Sequence, residues 1–214
     1  MSQADDQETV QMLSAKVDIL EKIITGGRYH QDQTNHGITY IVWGRKECPK
    51  GETLYSGVIG GNYVRHSAGG GNQVCLPDIP SYGQYTLGAQ QVGRMYGARY
   101  HTSSYSHLSY SHGKIVKCAA CYNDKSSTSI MVPARVSCPN GWTQEYYGYL
   151  MTQPDIGGYY RQEFICVHKD LEGQTPSPTY SKETYLLSPI EVQANQFPGP
   201  YDVTKELGCT VCSK

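Results

Sequence analysis

The constraint that most limits how this chain folds is a four-cysteine module written twice. IVWGRKECPKG (41–51) and MVPARVSCPNG (131–141) share an apolar pair, then Arg45 or Arg135, then Cys-Pro-x-Gly at Cys48 or Cys138, at an offset of 90 residues. One inserted residue later, Tyr55-x-Gly57 matches Tyr146-x-Gly148 at an offset of 91. The same offset carries Cys75 onto Cys166, Cys118 onto Cys209 and Cys121 onto Cys212. All eight cysteines fall into the repeat, and a repeat of this kind sets the architecture before any local pattern does. The first copy runs from about Gly37 to Cys121 and the second from about Ser127 to Lys214, with only YNDKSS between them. That segment is too short for a free linker, so the two copies are expected to pack together with pseudo-twofold symmetry. The expected divisions are an oligomerisation helix over 1–27, a first β module over 28–124 and a second over 125–214.

The cysteines are read as disulfides. Hydrophobic residues make up 38% of the chain, and its aromatic content is 19 Tyr against 2 Phe and 2 Trp, so the apolar core is thin for 214 residues. Covalent staples are the usual remedy where burial alone does not offset chain entropy. Zinc is the rival reading, but ribbon sites bring CxxC pairs together over roughly 15–20 residues; here each pair closes its own repeat, with two partner cysteines upstream. A redox CxxC needs a helix N-terminus to lower its thiol pKa, whereas KCAACYN follows a strand-like run. Disulfides imply a secreted protein, and because MSQADDQETVQ is polar and acidic where a leader is basic and then apolar, the expectation is a mature form without its leader.

Strand signals dominate. ITYIVW, KIVKCAAC, TSIMVPARV, EYYGYLM and EFICVH are β-branched or aromatic runs separated by Gly, Pro, Asn and Ser. The fold class expected is mostly β, a tandem duplicated disulfide-linked β module. Residues 5–25 differ: Val10, Leu13, Val17, Leu20 and Ile24 follow the a/d spacing of a coiled coil, Lys16 and Glu21 suit interchain ion pairs, and Gly26-Gly27 ends the helix. Val at a with Leu at d leans towards dimers. The competing reading is a helix packed on its own domain, which Met12, Ile19 and Ile23, off the seam, favour.

Charge excludes several function classes. Lys plus Arg number 18, Asp plus Glu 19, without a long single-sign run, so neither a phosphate-tracking face nor a polybasic anchor is expected. No apolar stretch approaches the roughly 20 residues that span a bilayer. Neither nucleic acid nor membrane is an expected partner. No GxSxG, HExxH or phosphate-binding glycine loop is present, so no catalytic residue is assigned, no cofactor is expected and the protein is read as non-enzymatic. AGGGN (68–72) lacks a following Lys-Ser/Thr and reads as a loop crossing. In YHTSSYSHLSYSHGK (100–114), His101, His107 and His112 are metal candidates because imidazole suits Zn or Cu; the plain alternative is a solvated Tyr/Ser loop. Arg65 and His66 form a second polar candidate. Tyr146, Tyr147 and Tyr149, with Tyr159, Tyr160 and Arg161, are candidates for a sugar-stacking surface, the alternative being strand tyrosines with buried rings.

ITYIVWGRKECPKG, YSGVIGGNYVRHSAGGGNQVCLP, MYGARY, KCAACY, IMVPARVSCPNGWTQEYYGYLM and PYDVTKELGCTVCSK together resemble the C-terminal globular domain of short-chain, spongin-type collagens. More distantly, CPNGW with GYLM resembles the non-collagenous domain of type IV collagen, a tandem, mostly β head that trimerises. The resemblance implies the pairs Cys48–Cys121, Cys75–Cys118, Cys138–Cys212 and Cys166–Cys209; the repeat alone supports only pairing within each module. There is no Gly-X-Y tract, so no collagen triple helix can form, and VQANQFPGPY stands where relatives carry an extra cysteine pair. The function expected is a secreted homotrimeric structural or assembly protein of the extracellular matrix, raised on a short coiled coil, whose trimers can pair, with matrix proteins or glycans as partners. The alternative is an oligomeric lectin exploiting avidity. Deleting residues 1–25 is expected to weaken self-association in light scattering while the far-ultraviolet β signal stays unchanged; collapse of that signal would place the helix in the core.

Overall fold

A computed structural model of the chain describes residues 13, 14, 16, 17, 37–62, 71–84, 86–88, 94–156, 162–180, 184–197 and 200–214. The chain divides into Met1–His36 and Gly37–Lys214. In the first unit, Leu13, Ser14, Lys16 and Val17 are helical, with Leu13 and Val17 exposed. No N-terminal helix stands as an element among the described residues, and Val10, Leu20 and Ile24 lie outside them.

Among the described residues of the second unit the regular elements are strands, apart from one 3-10 turn, Ser109–Ser111. The first module supplies β1 (Ile38–Trp43), β2 (Glu52–Gly61), β3 (Val74–Pro77), β4 (Tyr96–Tyr100) and β5 (Ile115–Asn123). The second supplies β6 (Ser129–Pro133), β7 (Thr143–Thr152), β8 (Ile165–His168), β9 (Gly173–Gln174), β10 (Tyr185–Pro189) and β11 (Gly208–Ser213). The repeat holds residue by residue in the ladders. β2 pairs β3 with Gly57 opposite Pro77 and Ile59 opposite Cys75; β7 pairs β8 with Gly148 opposite His168 and Leu150 opposite Cys166. β1 lies antiparallel to β5 as β6 does to β11. Both hairpins close on a glycine for the same reason: a Cβ on Gly57 would sit 1.7 Å from the Leu76 carbonyl oxygen, and one on Gly148 would sit 1.8 Å from that of Val167.

Strand geometry explains the disulfides. Successive side chains alternate between faces, so cysteines three apart in β5 point to opposite sides. Cys118 joins Cys75 beneath the β2–β3 hairpin and Cys121 joins Cys48 in the loop after β1. β11 repeats this with Cys209–Cys166 and Cys212–Cys138. These are the pairs that the resemblance implied, and no cysteine is free. Such bonds persist in oxidising compartments. Among the described residues no helix is long and apolar enough to cross a membrane.

The modules are not packed separately. One core cluster joins Ile59, Tyr100, Val116 and Cys118 to Met151, Val167, Tyr185 and Leu187; the other joins Tyr40, Val42 and Cys121 to Tyr146, Cys166 and Val211. Among the described residues three strand pairings cross between modules, β8 on β1, β10 on β4 and β9 on β5, with one isolated bridge, Gly71 to Gln162. A pseudo-twofold would also pair β3 with β6. Among the described residues β3 pairs only β2 and β6 only β11, so the modules meet head to tail and both equivalents remain edges. The expectation of pseudo-twofold packing is corrected accordingly.

The disulfide loops span 73, 43, 74 and 43 residues. The loop-entropy relation assigns each about 4 kcal/mol. Replacing Cys75 and Cys118 together by Ala is expected to lower denaturant stability by about that amount, and a loss under 1 kcal/mol would show that the hairpin is held without its staple.

Candidate functional site: the edges that join module to module

The intrachain junction defines what a complete edge looks like in this fold. β8 lies parallel to the end of β1, with Trp43 opposite Val167. Beyond it the backbone amide of Glu172 donates to the Gly44 carbonyl at 2.7 Å. The Glu172 carboxylate accepts the Lys46 amide at 2.9 Å and faces the Arg45 guanidinium at 3.3 Å. Gly44 sits at φ +84, a left-handed conformation glycine tolerates at little cost.

The other side of the junction is a buried polar network. Tyr146 stacks on Tyr40 with ring centroids 6.3 Å apart, and its hydroxyl lies 3.0 Å from the Ile41 carbonyl and 2.9 Å from that of Cys166. Next to it Glu145, only 3% exposed, receives the Asn123 side-chain amide at 2.8 Å, the Ser213 hydroxyl at 2.5 Å and the Tyr40 hydroxyl at 3.1 Å. Burial, followed by the Glu145 charge, pushes the Tyr40 phenol up, and burial does the same to Tyr146. Both phenols therefore stay protonated and can donate.

The same edges recur one repeat away without cover. Ile165 and Val167 of β8 are buried, whereas their equivalents Val74 and Leu76 in β3 are 39% and 38% exposed. Tyr40 is 8% exposed and its equivalent in β6, Ile130, 49%. Tyr55, the counterpart of Tyr146, keeps the bond to its own hairpin, its hydroxyl 3.3 Å from the Cys75 carbonyl. Gly44 corresponds to Ala134, which holds φ at +57 despite its Cβ. Where Glu172 and β9 cover Gly44, Arg45, Ile115 and Val116, the second module has a groove of about 540 Å³ lined by Ala134, Arg135, Tyr201, Glu206 and Leu207. Periodicity within each strand could not show this; it emerges only when exposure is compared across the repeat.

The sequence-derived candidates scatter. His101 and His112 come together, rings 5.6 Å apart, and the His112 Nδ1 accepts the Thr102 amide at 3.1 Å. His107 packs instead against Tyr149 at 5.5 Å. No cluster of three His, Cys, Asp or Glu suited to a metal exists among the described residues. The tyrosine group also divides: Tyr146 is buried in the junction, Tyr149 is half-buried beside His107, and Tyr147 is exposed with the Lys169 ammonium 5.9 Å from its ring centre. Tyr159, Tyr160 and Arg161, like Arg65 and His66, lie outside the described residues. No protein-family model matches the chain.

Burial and the neighbouring His112 hold His101 below its ordinary 6.5, and burial with Arg45 does the same to His168. A depressed imidazole resists charging in the fold, so the unfolded chain binds more protons and stability falls as pH drops below about 6.5. His101→Gln is expected to flatten part of that slope in denaturant midpoints measured from about pH 7 to 5; an unchanged slope would show that His101 is not among the groups responsible.

Proposed function

We propose that the protein is a non-enzymatic, secreted homo-oligomeric head, a homotrimer that acts in extracellular assembly through protein contacts. The observation that carries this reading is that β3 and β6, which among the described residues pair only β2 and β11 and do not pair each other, are the repeat equivalents of β8 and β1, which pair. The β2–β3 face of one copy therefore has a ready acceptor in the β6 edge and groove of another. Tyr55 would gain the second carbonyl, that of Met131, which Tyr146 finds at Ile41.

A head-to-tail contact of this kind uses different patches on the two partners, so it closes into a ring or runs on as a filament. A ring of three chains alternates intrachain and interchain junctions of one design. Exposed apolar edges that would otherwise invite aggregation become interfaces, and the four disulfides suit the oxidising compartment in which such heads work. The resemblance to short-chain collagen heads points to the same stoichiometry. The seam of Val10, Leu13, Val17, Leu20 and Ile24 would gather the chains, with Leu13 and Val17 helical and solvent-facing.

Sedimentation equilibrium is expected to give three times the 23.8 kDa of one chain; one or two times that mass would remove the trimer. A glycan array is expected to be silent, and binding competed by a simple sugar would move the function to carbohydrate recognition.

A further inference from the structure

One position of the repeat has the same backbone irregularity in both modules and carries a different residue in each. The ladder of β2 with β5 shifts register between Thr53 and Tyr55, and that of β7 with β11 shifts at the matching place, between Gln144 and Tyr146. The extra residue is Leu54 in the first module and Glu145 in the second. A bulge re-aims the side chain it carries. Glu145 enters the junction and takes three donors; Leu54 stands 50% exposed beside the bare β2–β3 face.

The acceptor edges differ to match. Opposite Glu145 are Tyr40 and Asn123; their repeat equivalents are Ile130 and Lys214. We propose, resting on the assembly reading above, that the bulge residue selects which edges meet: Glu145 takes the Tyr40–Asn123 edge of its own chain, and Leu54 takes the Ile130 edge of a second copy. Crossed pairings are penalised. Leu54 against Tyr40 and Asn123 would leave the buried Asn123 amide without its acceptor and the Tyr40 hydroxyl with the Lys50 carbonyl alone. Glu145 against Ile130 would exchange two fixed donors for a methyl group and a solvated lysine, and a buried carboxylate deprived of its donors is strongly disfavoured. Discrimination of this kind keeps first and second modules alternating around the assembly.

Amide hydrogen exchange on the full-length chain tests this, because it reads each edge separately even where the chains are held together elsewhere. Because β6 already pairs β11 within the chain, the amides read over 129–136 are those that face away from β11, and in the wild type these are expected to be protected. Leu54→Lys should speed their exchange about tenfold or more, although position 54 lies in the other module, while the β1 and β5 peptides stay unchanged. Leu54→Met should restore protection, since it keeps an apolar bulge residue. Protection of 129–136 that survives Leu54→Lys, or that Leu54→Met also abolishes, would overturn the role given to Leu54. A wild type whose amides facing away from β11 in 129–136 and away from β2 in 74–77 exchange freely would instead remove the assembly reading beneath it.

Discussion

The fold depends on the two-residue period of a β-strand. Because neighbouring side chains face opposite ways, a CxxC placed in β5 or β11 cannot close on itself and instead ties its strand to a neighbouring strand on one side and to a loop on the other. Each of those strands is therefore clamped front and back, Cys118 to the β2–β3 hairpin and Cys121 to the turn after β1. β1, β2, β4 and β9 pair with β5, and β6 and β7 with β11. The same alternation separates the two core clusters, with Cys118 in one and Cys121 in the other.

Covalent framing then leaves the junction between modules to noncovalent chemistry, where apolar and polar parts divide the work. Ile165, Val167 and Leu171 supply burial, while Glu145 and Glu172 fix position through directed bonds to Tyr40, Asn123, Arg45 and Lys46. A carboxylate buried with several donors is costly to disturb and adds little net stability over an apolar substitute, so its contribution is geometric definition. The unpaired edges carry the apolar half of this arrangement without the polar half.

Much of this was legible in the sequence where it depends on spacing. The doubled cysteine spacing reappears in matched disulfide loops, and runs such as ITYIVW and EYYGYLM became β1 and the centre of β7. What escaped were elements whose identity is tertiary. YLLSP is too short to announce itself and becomes β10 by lying between β4 and β7. Glu145 reads locally as a solvent-facing strand residue, and only the bulge turns it inward. The histidine-rich segment allowed both a ligand set and a plain loop by sequence; its buried Thr102 and Ser111 hydroxyls, 3.1 Å apart, and Leu108 pack it into the fold.

The covering of β1 and β5 by β8 and β9 has a consequence for synthesis. A chain made from its N-terminus completes the first module while the residues that shelter Tyr40, Val42 and Val116 are still unmade. Until Leu171 and Glu172 emerge, the nascent first module can oxidise Cys48 with Cys121 but cannot bury the strands those bonds hold. Its staples can therefore close before its apolar strands are covered.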